Sequence, residues 1–224
     1  MINIDSLIKH TEKDVYTPSD DTYLLLNYFN NNISNQDIDG LPLNEVKNIL
    51  DMGTGTGIIA IFFQQLIENL SGFNPHIYAS DISKKAIECA KRNEQRYKYV
   101  DSITYINSDL FNAFPSHLTH KFDIITFNPP YLPSFEFRRT HKTRKEDLAW
   151  DGGEKGYELF LRFIDTVRDY LAPHKRSCVY YIISSRANLK EFYEILEEKN
   201  FKNKILDKVH IFFEDIILSR LTPL

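Results

Sequence analysis

The segment Asn128-Pro129-Pro130-Tyr131 carries the most specific chemistry in this sequence, directly after an apolar run at residues 122–127. Proline has no backbone N–H and a fixed φ, so the local backbone is rigid and its carbonyls project freely. The Asn128 side-chain oxygen and the Pro129 carbonyl then provide two acceptors that grip a planar NH2 group through both hydrogens. Tyr131 is placed to cover the flat face of that group. A loop that merely ends a strand would explain the prolines but not Asn128 and Tyr131.

A second cluster of functional type is the alternation of Gly53, Gly55 and Gly57, three of only eight glycines in the chain. It follows an apolar run and precedes a helix-like segment, where glycine lets the backbone turn tightly and approach a ligand. The spacing is Gly-x-Gly-x-Gly, which differs from the dinucleotide fingerprint, and no Lys-Ser/Thr follows as in a P-loop. A plain tight turn would look the same, so the cluster gains weight only from the acidic residues near it.

Three aspartates, Asp51, Asp81 and Asp109, each follow or end one of three successive apolar runs. Asp81 is placed to accept hydrogen bonds from ribose hydroxyls, and Asp109 from an adenine amino group, with Phe111 near enough to stack on the ring. Singly, each aspartate would fit a helix cap or a turn. Together they predict a pocket for a nucleoside without phosphates, and the electrophilic ligand of that description is S-adenosylmethionine.

Short apolar runs alternate along the chain with longer segments of helical periodicity. Strands are predicted at residues 46–51, 76–80, 102–106, 122–127, 178–183, 204–209 and 211–218, and helices at residues 19–26, 58–70, 83–97, 159–171 and 189–198. This alternation predicts a doubly wound α/β fold with a mostly parallel, seven-stranded sheet. The last two strands have no helix between them and predict an antiparallel edge. Ligands of such folds bind at the carboxyl ends of the strands.

At these motifs the sequence resembles the HemK/PrmC family. Its members are class I S-adenosylmethionine-dependent methyltransferases with a Rossmann-like sheet that act on glutamine N5 in peptide-chain release factors. Residues 15–26 are similar to the family's Tyr-x-Pro-x-x-Asp/Glu-Thr-x-Leu-Leu segment, and residues 149–153 with Gly156 to the Ala-Trp-x-Gly-Gly…Gly segment of its archaeal and eukaryotic branch. The resemblance covers residues 15–186. Thr17 departs from the acidic residue common before the proline.

The resemblance implies a role for individual residues. It implies that seven residues contact the cofactor: Thr22, Asp51, Gly53, Gly55, Asp81, Asp109 and Asn128. It assigns Asn128, with the carbonyl of Pro129, to the target amide, and Tyr131 to the shape of the pocket. It also implies one methyltransferase domain over residues 1–224, in which residues 1–30 cover the cofactor and the Asn-rich residues 31–45 are an inserted surface loop.

The expected partners follow from the same resemblance. Bacterial members carry an N-terminal helical domain that docks the release factor, whereas only about a dozen residues precede the first motif here. Relatives without that domain work with a small zinc-binding activator subunit, which is therefore an implied partner. A basic segment, residues 138–145, with Arg138, Arg139, Lys142, Arg144 and Lys145, is either a contact for RNA or the release factor or simply a solvated surface. Trp150 with the glycines after it is either a lid hinge or a structural anchor.

Composition excludes several other classes. The chain has 224 residues and a formal net charge of -4, which argues against a free-standing binder of duplex DNA. No apolar stretch approaches the roughly 18 residues of a membrane span, and the N-terminus has no signal pattern. The two cysteines are too few for a disulfide framework, so we expect a cytoplasmic protein. The seven histidines lack metal-binding spacing, and no metal is expected. An N6-adenine or N2-guanine methyltransferase acting on RNA or DNA and an inactive cofactor-binding scaffold are the alternatives.

Overall fold

A computed structural model of the chain describes residues 2–4, 7, 11–33, 37–97, 102–134, 151–174 and 176–224. Its strands are β1 (Asp37–Ile38), β2 (Leu41–Pro42), β3 (Asn48–Met52), β4 (His76–Asp81), β5 (Ile103–Asn107), β6 (Ile124–Phe127), β7 (Cys178–Ser184), β8 (Phe201–Ile211) and β9 (Glu214–Pro223). Its helices are α1 (Asp20–Asn32), α2 (Ile58–Asn69), α3 (Lys84–Arg96), α4 (Glu158–Val167) and α5 (Leu189–Glu198). Two short 3-10 turns occupy Leu43–Glu45 and Ser116–Leu118.

Seven strands form one sheet in the order β5-β4-β3-β6-β7-β9-β8. The pairs between β5 and β7 are all parallel, while β9 pairs antiparallel with both β7 and β8. The predicted seven-stranded, mostly parallel sheet is confirmed. The one reversed strand, β9, lies one position in from the edge, because the chain turns back from β8 and inserts beside β7.

The two faces of the sheet bury different helices, because successive strand residues point to opposite sides. Ile49 of β3 belongs to an apolar cluster with α1 and α2, whereas the next residue, Leu50, belongs to a cluster with α4 and α5. Strands β3 and β7 are buried along their whole length, as expected for parallel strands covered on both faces. Within the part of the chain that the structure describes, no helix has both the length and the apolar character needed to cross a bilayer.

The segment after α1 differs from the expected surface loop. Helix α1 extends to Asn32, and beyond the undescribed residues 34–36 the chain forms the small β1–β2 hairpin. Ile38 and Leu41 are buried against the core, and the carboxylate of Asp39 accepts hydrogen bonds from the Tyr28 and Tyr180 hydroxyls at 2.8 and 2.7 Å. The many asparagines concealed this hairpin, because its anchors are single residues too few to produce a periodic pattern.

The boundary of the last two strands also differs from the prediction, which placed the turn at residue 210. Strand β8 continues to Ile211, and Phe212 and Phe213 form the turn. Phe212 has a φ of 53°, an unusual backbone for a bulky residue. Two phenylalanines therefore look like strand residues in the sequence and are turn residues in the structure.

Candidate active site

A cleft of about 1150 Å³ opens at the carboxyl ends of β3, β4 and β6. Strand β3 pairs with β4 on one side and β6 on the other, so the order of the sheet reverses here, where open α/β sheets bind ligands. Eight of the residues proposed from the sequence line this central cleft: Thr22, Gly53, Gly55, Asp81, Asp109, Asn128, Pro129 and Tyr131.

The glycine turn forms the floor of the central cleft, and its backbone is left-handed. Gly53 has a φ of 68°, and a Cβ on it would lie 3.2 Å from Cε2 of Phe127. The turn is held from the neighbouring strand, because Gly55 N donates to Oδ2 of Asp81 at 2.9 Å and Thr54 N donates to the Ser80 carbonyl at 2.9 Å. A close backbone approach to a ligand is therefore built into this turn.

Asp51 lies beneath the glycine turn and does not reach the central cleft. Its side chain is fully buried, and its two oxygens accept hydrogen bonds from Thr54 Oγ1 at 2.7 Å and Thr126 Oγ1 at 2.9 Å. Burial raises the pKa of Asp51 to about 7, and the two threonine hydroxyls oppose that rise. The resemblance implied that Asp51 contacts the cofactor directly. In the structure its side chain instead supports the glycine turn from below.

The far end of the central cleft carries Asp81 and Asp109. The Asp81 carboxylate accepts the backbone N–H of Ser83 at 2.8 Å as well as that of Gly55, and burial raises its pKa above the usual value. Asp109 accepts a hydrogen bond from Arg162 Nη2 at 2.8 Å, and Arg162 also lines the cleft. The carboxylates of both aspartates are thus held in place by hydrogen bonds, and their oxygens provide acceptors at this end of the cleft.

Phe111 is not part of the central cleft, and the prediction that it stacks on an adenine ring is wrong. Its ring is buried in the core and stacks on Tyr170, with centroids 4.1 Å apart and planes 7° apart. Ile82 and Leu110, which follow Asp81 and Asp109 in the sequence, are among the apolar residues that line the cleft. Ile82 directly follows the strand-ending Asp81 and is 63% exposed, so its place in the sequence was a usable signal for an apolar cleft residue.

Asn128 stands at the end of β6 with one half of its amide held and the other half unused. Its Nδ2 donates to Thr22 Oγ1 at 3.4 Å. Its Oδ1 is buried and has no hydrogen-bond partner among the described residues. A buried acceptor without a donor is costly, so an unpaired one at the wall of a cleft points to a ligand that supplies an N–H.

Asp21 joins the N-terminal segment to the Asn128–Tyr131 loop, and it was not singled out from the sequence. Only 3% exposed, it accepts hydrogen bonds from the Tyr16 hydroxyl at 2.8 and 2.7 Å, from the Tyr131 hydroxyl at 3.0 Å and from Thr22 N at 2.5 Å. Burial, followed by the Asp21 charge, raises the pKa of Tyr131 far above its usual value. Tyr131 is therefore a neutral hydroxyl that fixes its ring at the cleft.

Residues 11–19, the N-terminal strap, contribute to the lining of the central cleft and are attached to α3. Val15 packs against Ala86 and Cys89 in a small apolar cluster. Two ion pairs flank it, Lys85–Asp14 and Arg92–Glu12, both at 2.5 Å. The strap therefore lines the cleft between α3, which it contacts through Val15, and Asp21, which Tyr16 contacts.

Residues Gly152, Gly153 and Gly156 brace the Asn128–Tyr131 loop. A Cβ on Gly152 would lie 2.8 Å from the Pro130 carbonyl oxygen, and one on Gly156 would lie 2.6 Å from the Tyr131 carbonyl oxygen. No side chain fits between these backbones, which accounts for the glycines. Trp150 and the basic residues 138–145 lie outside the described residues.

Comparison with known proteins identifies the class. A family profile described as a methyltransferase domain matches residues 43–217. The chain is 31% identical over 220 residues to a Methanocaldococcus jannaschii protein named provisionally as a protein N5-glutamine methyltransferase, covering 97% of this chain and 96% of that one. It is 30% identical over 195 residues to the release factor glutamine methyltransferase of Clostridium acetobutylicum, covering 86% of this chain and 62% of that one.

The fold agrees with that class. The solved E. cuniculi Mtq2–Trm112 complex, responsible for methylation of the eRF1 termination factor, superposes with a TM-score of 0.63 at 24% identity, covering 94% of this chain and 99% of that one. The protein is thus a methyltransferase, and its cofactor is S-adenosylmethionine. More narrowly, the chain belongs to the HemK-type family of protein N5-glutamine methyltransferases.

Proposed function

We propose that this enzyme methylates the side-chain amide nitrogen of a glutamine in a peptide-chain release factor. The observation that carries the proposal is the buried Oδ1 of Asn128, which lacks a donor among the described residues and lies at the wall of the central cleft. A carboxamide NH2 supplies that donor. The names of the Methanocaldococcus and Clostridium relatives support glutamine as its source.

The residues of this chain act by orienting a poor nucleophile. An amide nitrogen has a delocalised lone pair, so its alignment with the electrophile has to be enforced by binding. Asn128 Oδ1 and the Pro129 carbonyl accept its two hydrogens, and both acceptors favour the positive charge that develops on nitrogen in the transition state. The bound cofactor supplies an electrophilic methyl group on a sulfonium. The surplus proton leaves to water, so the residues around the amide need no strong base.

The opposite end of the central cleft suits the adenosine part of the cofactor. In our proposal the Asp81 carboxylate accepts the ribose hydroxyls through lone pairs that Gly55 and Ser83 do not use. Ile82 and Leu110 contact the faces of the adenine ring, and Asp109 accepts from its amino group. The open backbone at Gly53 leaves room for the methionine part, which a Cβ there would fill.

We further propose the cellular setting. The chain forms one catalytic domain over residues 1–224, residues 1–30 cover the bound cofactor, and the enzyme acts in the cytoplasm. The solved neighbour contains a small Trm112 subunit, and a corresponding activator is proposed for this chain. An RNA contact through residues 138–145 remains part of the hypothesis.

The test replaces the amide acceptor. Asn128→Ala should reduce methyl transfer to the release factor at least about a hundredfold, because an acceptor used in the transition state is lost. Cofactor affinity should stay within about twofold, since Asn128 holds the acceptor amide. The measurements are incorporation of labelled methyl groups and calorimetric titration of the cofactor. Asn69→Ala, an exposed asparagine at the end of α2, is the control.

Two results would contradict the proposal. A large loss of cofactor affinity in Asn128→Ala would show that the residue is structural. Label that enters total RNA rather than the release factor would favour the alternative, an N6-adenine or N2-guanine methyltransferase, since those bases present the same planar amine.

A further inference from the structure

Phe212 and Phe213, here called the hairpin tip, are the most exposed large hydrophobic side chains in the described chain, at 87% and 89% exposure. The other exposed residues of this kind are Ile82, which lines the central cleft, Ile205 and the C-terminal Leu224. Two adjacent aromatic rings in water are an unfavourable arrangement for a free surface, and they mark an interaction site when their position fits a partner.

The sheet register gives the position of the hairpin tip. Phe127 at the end of β6 pairs with Tyr181, and β7 then continues three residues to Ser184, which pairs with Ile216. From Ile216 the hairpin extends three more residues to Phe213. Six residues of strand correspond to roughly 20 Å, so the tip projects about that far beyond the end of β6, two strands to the side. The tip thus lies on the β6 side of the central cleft and projects past the strand ends at which the cleft opens.

The base of the hairpin is held at the carboxyl end of β7 and lies in the same apolar cluster as Tyr131. Tyr131 shares an apolar cluster with Ile216, and the Glu214 charge contributes to the raised pKa of Tyr131, after burial, Asp21 and Tyr16. Ser184 Oγ hydrogen-bonds Glu214, and Asp215 N donates to Ser185 Oγ at 2.8 Å. These hydrogen bonds fix the hairpin to the end of β7, the strand that pairs with β6.

The charges near the hairpin tip are paired among themselves. Lys208 and His210 both contact Asp215, at 2.9 and 2.8 Å, and Arg186 lies 3.7 Å from Glu214. A nucleic-acid partner would need concentrated unpaired positive charge at this place. The tip instead presents apolar rings above neutralised pairs, which complements an apolar patch on a protein.

We infer that the hairpin tip docks an apolar patch of the methyl-accepting protein, beside the glutamine that enters the central cleft. This inference rests on the proposed function. A glutamine in a folded protein reaches a recessed site only if the surface around it lies over the mouth of the cleft, and among the described residues the tip is a part that projects on the β6 side of that mouth. Two aromatic side chains are also the residue type that most often dominates binding energy at interfaces.

The experiment removes the rings and keeps the backbone. The double variant Phe212→Asn and Phe213→Ser suits the turn, because asparagine tolerates the positive φ of Phe212. We expect KM for the full-length release factor to rise about tenfold. The kcat, the cofactor affinity and the KM for a short glutamine peptide should stay within about twofold. Ile205→Ser is the matched control, a 51% exposed residue on β8 roughly 20 Å from the tip.

The outcomes separate the two claims. An unchanged KM for the release factor in the double variant overturns the docking inference while leaving the proposed function intact. An equal rise in KM for the release factor and for the short peptide also overturns it, because the substitutions would then have altered the central cleft and not a docking surface outside it. A wild-type dimer that the double variant converts to a monomer, without a change in KM, would make the tip a contact between copies. If the wild-type enzyme methylates neither release factor nor peptide, the proposed function fails and takes the inference with it.

Discussion

The orientation of the Asn128 amide depends on contacts from a distant part of the chain. Its nitrogen donates to Thr22 of α1, and its oxygen, which has no partner among the described residues, is the atom that we propose binds the target. Thr22 is positioned in turn by Asp21, which also accepts a hydrogen bond from the Tyr131 hydroxyl. The orientation of Asn128 therefore depends on the N-terminal segment as much as on its own loop. This dependence explains why the family's first motif and its Asn-Pro-Pro-Tyr motif occur together in this chain.

Asp51 supplies a prediction about pH. Burial raises its pKa from 3.8 to about 7 in the folded protein, so between those values the folded state binds more protons than the unfolded state. The free energy of unfolding should therefore fall as the pH rises through that window. Asp51→Asn removes this titration. Between pH 5 and pH 8, the free energy of unfolding of the variant should rise relative to that of the wild type by on the order of 2 kcal/mol.

Denaturant unfolding of the two proteins at pH 5 and pH 8 measures the difference. Parallel pH dependence of wild type and Asp51→Asn would show that the buried carboxyl is ionised throughout, held by Thr54 and Thr126.

Most of the residues proposed from sequence patterns line the central cleft, but the patterns could not decide which way each side chain points. Asp81 lies at the end of β4 and Asn128 directly after β6, and both line the central cleft. Asp51 ends a strand equally well, yet its side chain lies beneath the turn. Phe111 is close to Asp109 in sequence, but the ring enters a core of aromatic side chains because Tyr170 and Phe163 provide a stacking surface there. Such orientations depend on contacts from distant parts of the chain.

At the scale of elements, the contact between α2 and α3 depends on Gly57. Its φ is 84°, and a Cβ would lie 2.8 Å from the Cβ of Ala90 on α3. Gly72 has nearly the same φ, 81°, with no atom within 4 Å of a Cβ among the described residues. Gly57→Ala therefore combines backbone strain with a clash, and Gly72→Ala contains the strain alone.

We expect Gly72→Ala to lower the free energy of unfolding by about 1 kcal/mol through the left-handed backbone. Gly57→Ala should lower it by about 2–4 kcal/mol, because overpacking adds to the same strain. Thermal and denaturant unfolding of both variants gives the comparison. Equal losses would mean that α3 moves away from Gly57 at no cost and that the close contact is unimportant.

The elements themselves were largely predictable, and the exceptions have physical causes. Strand β7 was predicted from an apolar run, and helix α3 from amphipathic periodicity with Ser83 as its cap. Both elements lie close to the predicted residues. The turn at Phe212 and Phe213 was misplaced because apolar residues normally indicate a strand rather than a turn. The β1–β2 hairpin was missed because tertiary contacts to Asp39, rather than local pattern, hold it in place.

At the scale of the whole molecule, the alternation of strands and helices was sufficient to predict the sheet, because parallel strands joined by right-handed connections allow few topologies. It did not predict how separate segments surround the central cleft. The N-terminal strap reaches across to α3, and the glycines at residues 152–156 brace the Asn128–Tyr131 loop from the other side. The acceptor site therefore exists only in the complete fold.

In the proposed function, this architecture presents a flat amide nitrogen of a protein to the methyl donor. The most direct test of this proposal is tandem mass spectrometry of the release factor after incubation with the enzyme, any small activator subunit and S-adenosylmethionine. We predict the mass of one methyl group on the side chain of a single glutamine, present with the wild type and absent with Asn128→Ala. A methyl group on any other residue type, or on RNA in the same mixture with the release factor unmodified, would contradict the account.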